Sequence, residues 1–178
     1  MRCFIALTLP DDVKDYLYNL QKELKTKDAK INWTAKKNLH LTLKFFGELK
    51  EEQLEQIKKR LEQIKAPSIN VNLNKIGFFP DEVNPHVIWI GLTPEKEIID
   101  LARMIDEETL DLSSGEQKFT AHLTLGRVKQ VLKTYSFDQV RKLKLEKMSL
   151  TFTSFTLYQS TLSTQGPTYK QLATYPLQ

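Results

Sequence analysis

The chain has 178 residues, of which 40% are hydrophobic, and its 26 basic and 22 acidic residues give a net charge of +4. This length predicts one domain of ordinary size, or two closely packed lobes, with a substantial hydrophobic core. The charge is too small for a polycation that coats nucleic acid, but it is compatible with a local basic patch that meets an anionic substrate.

Cys3 is the single cysteine, which excludes an internal disulfide and a zinc cluster built on thiolates. Asp11 and Asp12 directly follow the short apolar opening, so we interpret that opening as a first strand and not as a signal peptide. No apolar stretch approaches the ~20 residues that span a bilayer. These features predict a soluble, cytoplasmic protein with no membrane partner.

The first half of the chain is predicted to fold as strand, helix, strand, helix and strand. Apolar residues three and four apart indicate the helices, and alternating apolar residues indicate the strands. The predicted elements are a strand at 2–9, a helix at 13–25, a strand that ends at Gly47, a helix at 51–64 and a strand at 69–79.

After a loop rich in turn formers at 80–85, the same order begins again. The interval from Pro10 to His40 resembles that from Pro94 to His122. The predicted elements are a strand at 86–92, a helix at 95–108, a loop through Ser113, Ser114 and Gly115, a second motif strand, a short helix at 137–143 and a strand at 148–158.

This internal similarity predicts one bilobal domain over residues 1–178, with related halves at roughly 1–79 and 86–158. Two copies favour paired lobes over a stacked solenoid. We expect an α+β fold in which mainly antiparallel sheets, flanked by helices, surround a central cleft.

The tetrapeptide His-Leu-Thr-Leu occurs twice in a chain that has 3 histidines. Side chains alternate along a strand, so the leucines of each copy would face the core, and the histidine and threonine would share the opposite face. The polar residues of the two copies are His40, Thr42, His122 and Thr124.

Two imidazoles on either side of a phosphorus atom can divide proton transfer between a base and an acid. The two threonine hydroxyls could donate hydrogen bonds to phosphoryl oxygens. Arg127 adds a guanidinium suited to phosphate. Strict alternation would put Arg127 on the leucine face, so its participation requires a bulge or a strand end near Gly126.

Alternation also predicts that Phe45 lies on the leucine face and Phe46 on the histidine face, which makes Phe46 the candidate for stacking on a base. His86 lacks a threonine partner and is expected to begin a strand. Several lysines near the motifs could attract an RNA backbone, although solvated charge is the default interpretation of each. They are Lys36, Lys37, Lys44, Lys118 and Lys129.

Further short motifs accompany the repeated tetrapeptide. They are the Arg-x-Phe-Ile-Ala opening, Trp33, His40-Leu-Thr-Leu-Lys-Phe-Phe-Gly47, His122-Leu-Thr-Leu-Gly-Arg127, Leu157-Tyr-Gln-Ser160 and Gly166-Pro-x-Tyr169. Together and in this order they resemble the two-histidine phosphoesterase superfamily. Within it they resemble the LigT-like RNA 2′,3′-cyclic phosphodiesterases, historically called 2′-5′ RNA ligases.

The resemblance implies a bilobal antiparallel fold with pseudo-twofold symmetry, no metal or other cofactor, and hydrolysis of a 2′,3′-cyclic phosphate to a 2′-phosphomonoester. It implies His40 as the general acid toward the departing 3′ oxygen and His122 as the base that activates water, although pseudo-symmetry leaves the reverse assignment open. Thr42 and Thr124 become phosphate binders, and Arg127 becomes the arginine that follows the second motif. The expected partner is RNA with a 2′,3′-cyclic phosphate end, tRNA fragments included, and we expect a monomer.

Three alternatives stay open on the sequence. The same site could perform reversible 2′-5′ RNA ligation, or the cleft could hold an RNA end without turnover. Two histidines argue against a purely binding role, because Arg or Lys would suit binding alone. A dinuclear metal hydrolase is the weakest alternative, because three histidines without a nearby acidic cluster make a poor ligand set.

Overall fold

The computed structural model describes residues 1–113 and 118–178, so Ser114 and Gly115 of the predicted loop lie outside the described residues. Within these ranges the chain forms nine strands and four α-helices. The strands are β1 (Arg2–Thr8), β2 (Ala29–Trp33), β3 (His40–Glu48), β4 (Ile69–Phe79), β5 (Val87–Thr93), β6 (Leu123–Val131), β7 (Ser149–Phe152), β8 (Ser154–Ser163) and β9 (Gly166–Pro176). The helices are α1 (Asp11–Leu24), α2 (Glu51–Leu61), α3 (Lys96–Glu108) and α4 (Asp138–Arg141).

The strands and helices predicted before residue 110 are present, with ends that differ by a few residues. The strand predicted at 148–158 is instead two strands, β7 and β8, separated at Thr153. Strand β2 had no separate predicted counterpart, and strand β9 had none either. Most side chains of β9 are exposed or half-buried, so this strand carries no clear alternation of apolar and polar residues.

All nine strands of the described residues join in one sheet, with the order β7-β4-β5-β6-β3-β1-β8-β9 and with β2 paired beside β6. The pairs are antiparallel, which confirms the α+β class. The two motif strands, β3 and β6, are neighbours at the middle of this order.

The last strand of each predicted half, β4 or β8, pairs with a strand of the other half. Strand β4 pairs with β5 and β7, and strand β8 pairs with β1 and β9. The six central strands follow the order β4-β5-β6-β3-β1-β8, which is symmetric about its centre. In it β6 corresponds to β3, β5 to β1, and β4 to β8. Strands from both predicted halves join in one sheet, so the halves are not spatially separate.

The core lies on the face of the sheet that carries the motif leucines. Leu41, Leu123 and Leu125 have no exposed surface, and the same holds for Leu17 of α1 and Ile105 of α3. Burying each such side chain contributes about 1.5–3 kcal/mol. Because this face is filled by helices, the histidine face is left to form the cleft. No helix in the described part of the chain is both long and apolar enough to cross a membrane.

Candidate active site

The two repeated motifs meet across the centre of the sheet. Leu41 of β3 lies opposite Leu123 of β6 in an antiparallel pair. This register puts His40 opposite Thr124, and Thr42 opposite His122, on the face away from the leucines. The two histidines are then diagonal neighbours, a relation that typically separates Cα atoms by about 7–8 Å. All four polar motif residues line one cleft of about 820 Å³.

The backbone fixes the imidazole of His40. Its Nδ1 lies 2.5 Å from the carbonyl oxygen of Asn38, and its Nε2 lies 2.9 Å from Oγ1 of Thr42. A carbonyl oxygen can only accept, so this contact assigns the proton of the neutral ring to Nδ1. Nε2 then accepts from the threonine hydroxyl, and it is the ring atom able to exchange a proton in the cleft.

His122 is held in the same way. Its Nδ1 donates to the carbonyl oxygen of Thr120, two residues earlier, over 2.7 Å. The same two-residue spacing relates His40 to Asn38. Both rings therefore have Nδ1 occupied by the backbone, which leaves Nε2 for acid or base chemistry.

A stacked aromatic pair lies beside each histidine. Phe4 and Tyr158 stack with centroids 5.3 Å apart, and Phe4 lies 5.1 Å from His40. On the other side, Phe79 and Trp89 stack at 4.9 Å, and Phe79 lies 5.1 Å from His122. The two pairs come from β1 and β8 and from β4 and β5, which occupy equivalent places in the sheet. The apolar surroundings of the histidines are thus duplicated along with the motif.

Tyr169 of β9 makes the two sides unequal. Its ring meets His40 edge-on, with centroids 5.4 Å apart.

Burial lowers the pKa of His40 to about 4; the Asn38 hydrogen bond opposes this shift, and the positive charges of Lys14 and His122 add to it. Burial also lowers the pKa of His122, with a further contribution from the charge of Arg127.

A bulge in β6 brings Arg127 to the cleft. Ile88 pairs with Gly126 while the next residue, Trp89, pairs with Thr124, so Leu125 is an extra residue on β6. The extra residue reverses the alternation, and Arg127 lines the same cleft as Thr124. A Cβ on Gly126 would lie 2.8 Å from Cγ2 of Ile31, so β2 can approach β6 here because the residue is glycine. The bulge required near Gly126 is confirmed.

The prediction for the adjacent phenylalanines was wrong. Phe46 is 4% exposed and belongs to the core, whereas Phe45 is 53% exposed and lines the cleft. Ala6 of β1 pairs with Thr42 and Ile5 pairs with Lys44, so β3 contains an extra residue after Thr42. This bulge shifts the alternation by one residue and puts Phe45, not Phe46, at the cleft.

The flagged lysines have different positions. Lys36 pairs with Asp15 on the surface, and Lys44 pairs with Asp106 in a buried position. Lys37 lines the cleft that contains both histidines, Lys118 lines a neighbouring cavity, and Lys129 is exposed on β6.

His86 immediately precedes β5. Its N–H donates to the carbonyl oxygen of Phe79 over 2.7 Å, and its carbonyl oxygen accepts from the N–H of Val128 over 2.9 Å. It has the structural position expected for a residue at the start of a strand.

A second cavity, of about 590 Å³, adjoins the cleft on the His122 side. Thr42, Phe45 and His122 line both spaces, and Phe119 and Ile99 add apolar surface to the second one. Within residues 1–113 and 118–178, no group of three His, Cys, Asp or Glu side chains is placed to hold a metal ion.

Sequence reasoning missed several contributors to the site. It did not assign the carbonyl groups of Asn38 and Thr120, because backbone acceptors carry no residue-specific signal. Tyr158 and Tyr169 appeared in quoted motifs without a role. The alignment of Phe4 with Trp89 in the internal repeat was the available signal for the aromatic pairs.

Comparisons with known proteins identify the family that the chain resembles over its whole length. The family model described as "LigT like Phosphoesterase" matches residues 7–89 and 90–169. A curated protein of Archaeoglobus fulgidus, named RNA 2′,3′-cyclic phosphodiesterase, is 34% identical over 177 residues, which cover 98% of this chain and 99% of that protein. A protein of the same name from Methanocaldococcus jannaschii is 35% identical over 179 residues, covering 96% of this chain and 97% of that protein.

Among solved structures, one from Thermus thermophilus superposes with a TM-score of 0.86 at 26% sequence identity. The match covers 99% of this chain and 98% of that one. The similarity thus extends over the full set of strands that positions the two histidines.

Proposed function

Because this chain belongs to the LigT-like phosphoesterase family, we propose that it hydrolyses 2′,3′-cyclic phosphate ends of RNA to 2′-phosphomonoesters. The observation that carries the proposal is the diagonal placement of His40 and His122, each with a threonine, in one cleft. The name shared by the curated relatives supports the substrate class.

In the proposed reaction, the oxygen of a water molecule attacks phosphorus while the bond from phosphorus to the 3′ oxygen breaks. Nε2 of His122 takes a proton from the water, and Nε2 of His40 gives a proton to the 3′ oxygen. The net change is the addition of one water molecule. Each ring is oriented for this transfer by its Nδ1 hydrogen bond to the backbone.

The phosphoryl group would lie between the motif strands. The hydroxyls of Thr42 and Thr124, together with the Arg127 guanidinium, are the donors that would hold its non-bridging oxygens. The negative charge of the bound phosphate favours the protonated form of a nearby imidazole, which would counteract the low pKa of His40 in the free protein.

The test is product analysis on a short RNA with a 2′,3′-cyclic phosphate end in excess EDTA. The unmodified protein should leave a 2′-phosphate. His40→Ala and His122→Ala should each lower the rate by about 10²–10⁴-fold, the usual contribution of a positioned acid or base. His86→Ala is the matched control, because His86 does not line the cleft, and it should keep the original rate. A 3′-phosphate product, or unchanged rates in both motif variants, would contradict the proposal.

A second candidate, 2′-5′ RNA ligation, is favoured by the cavity of about 590 Å³ beside His122. A water molecule needs no such space, whereas the 5′-hydroxyl nucleoside that would replace water as the attacking group does. Supplying RNA with a 5′-hydroxyl end should then give a joined 2′-5′ product. A third possibility, end binding without turnover, would give tight binding and no product in the same assay.

We also propose that residues 1–178 act as one bilobal, monomeric unit in the cytoplasm, with tRNA fragments among its substrates. The first point is supported by the exchange of β4 and β8 between halves, since neither half has a complete sheet alone. Sedimentation of the purified protein would test the monomer.

A further inference from the structure

A third cavity, of about 340 Å³, lies behind His40. The two spaces adjoin across the His40 ring, because the same five residues line both this cavity and the cleft: Lys37, Asn38, His40, Thr168 and Tyr169. Nothing in the proposed hydrolysis of the cyclic phosphate uses the third cavity.

The lining of the third cavity is cationic. Lys14 of α1 and Lys37, from the turn before β3, both face it. No Asp or Glu is among the described residues that line it, and within residues 1–113 and 118–178 neither lysine forms an ion pair. Lys36, the residue next to Lys37, is instead paired with Asp15.

Neutral hydrogen-bonding groups complete this lining. They include the hydroxyl of Thr168 and the amide of Gln171, and the hydroxyls of Thr8 and Tyr158 are hydrogen-bonded to each other over 2.7 Å. Two ammonium groups with neutral donors and no carboxylate are a composition suited to a phosphate group.

The cavity on the other side of the cleft differs in charge. Asp106 lines it and pairs with Lys44, and its Arg103 lies 3.5 Å from Asp100. Lys118 is the remaining cation of this lining, so among the described residues the cavity has one cation outside an ion pair and one carboxylate, against two such cations and no carboxylate on the His40 side. A second phosphate of the same RNA chain would therefore be more favourably placed on the His40 side. If His40 protonates the 3′ oxygen, the terminal ribose also lies on that side.

We infer that Lys14 and Lys37 form a subsite for the phosphodiester that joins the terminal nucleotide to the rest of the RNA. This inference rests on the proposed function, since the cyclic phosphate must occupy the cleft between the histidines. The subsite would make the protein prefer RNA ends over isolated cyclic mononucleotides.

The test compares two dinucleotides that both end in a 2′,3′-cyclic phosphate. One has a natural phosphodiester linkage, and the other has an uncharged methylphosphonate linkage. The unmodified protein should hydrolyse the charged substrate with about tenfold higher kcat/KM, as expected for a hydrogen bond to a charged group. Lys14→Ala and Lys37→Ala should each reduce this ratio, and the double variant should bring it close to one.

Each variant is judged by its own ratio of kcat/KM on the two dinucleotides. An effect of Lys14 on the pKa of His40 changes both rates alike and therefore cancels in this ratio. Lys36→Ala is the matched control and should keep the ratio of the unmodified protein. An equal rate on both substrates, or a double variant that keeps the preference, would overturn the subsite alone. Failure to hydrolyse the natural dinucleotide would count against the proposed function itself.

Discussion

Nζ of Lys44 lies 2.5 Å from Oδ1 of Asp106, and this contact joins β3 to α3 at the bulge that follows Thr42. The Lys44 side chain is 2% exposed and that of Asp106 is 28% exposed. The pair therefore lies between the part of β3 that lines the cleft and helix α3.

We expect Asp106→Asn to lower the free energy of unfolding by about 3 kcal/mol, because it leaves a buried ammonium without its counter-charge. Urea denaturation measures this change. Asp100→Asn, which removes the exposed partner of Lys96, should cost less than about 1 kcal/mol. Equal effects of the two variants would show that the buried pair has no special contribution.

Phe45 and Phe46 should separate substrate binding from stability. Phe46→Ala removes a side chain that is 4% exposed and should destabilise the fold by about 3–5 kcal/mol. Phe45→Ala should have little effect on unfolding, but it should weaken RNA binding by about 1–3 kcal/mol if Phe45 stacks on a base. Urea denaturation and KM values measured on both variants test this pair, and an unchanged KM in Phe45→Ala would argue against stacking.

The His40 pKa predicts a loss of stability in acid. In the folded chain the pKa of His40 is about 4, whereas its ordinary value is 6.5. Between these two pH values His40 therefore binds more protons in the unfolded chain than in the folded one. Stability then falls as the pH falls through this window, by about 3 kcal/mol in total from this residue. Unfolding of His40→Gln should lack this part of the pH dependence. Parallel curves for the two proteins would contradict the burial of a neutral His40.

The same pKa shifts predict an acidic optimum for kcat/KM in the free protein. The reaction needs one protonated and one neutral imidazole, and the pKa values of both histidines are lowered. The rate should therefore decline as the pH rises above the ordinary value of 6.5, and again in strong acid when both rings are protonated. Removing the Lys14 charge should move the acid limb to higher pH, because that charge lowers the pKa of His40. Rates across this pH range on one substrate provide the measurement.

Gly77 packs against the ring of Trp89, which lies beside His122. A Cβ at this position would lie 2.1 Å from Cζ2 of Trp89, and the Trp89 ring is 6.2 Å from His122. Gly77→Ala should displace the indole, destabilise the fold by about 1–3 kcal/mol and lower kcat. Gly91→Ala, whose Cβ would lie 3.3 Å from the same ring, should have a smaller effect. Thermal unfolding and kcat of both variants test the order.

The sequence was sufficient for the parts of the site that follow regular alternation. His40 and Thr42 precede the bulge of β3, and His122 and Thr124 precede that of β6, so their shared face could be predicted from strand geometry. The repeat led us to expect the two motif strands to face each other. That β3 and β6 pair through one residue pair, Leu41 with Leu123, could not be predicted from the sequence.

Beyond the bulges, prediction depended on whether another residue revealed the irregularity. For Arg127, the expected contact with phosphate conflicted with strict alternation, and this conflict indicated that a bulge was needed. Phe45 and Phe46 offered no such indication, because either phenylalanine is compatible with either face. The bulge after Thr42 accompanies the Lys44–Asp106 pair between β3 and α3, a contact between residues distant in sequence.

The exchange of β4 and β8 has a consequence for splitting the gene. A cut in the loop at 80–85 would give two peptides, each with one histidine motif and each with a long strand that pairs with a strand of the other peptide: β4 with β5 and β7, and β8 with β1. Neither peptide could complete its sheet or place His40 opposite Thr124. Mixed together, they can restore every strand pairing of the intact chain, so two inactive fragments should complement each other and recover hydrolysis.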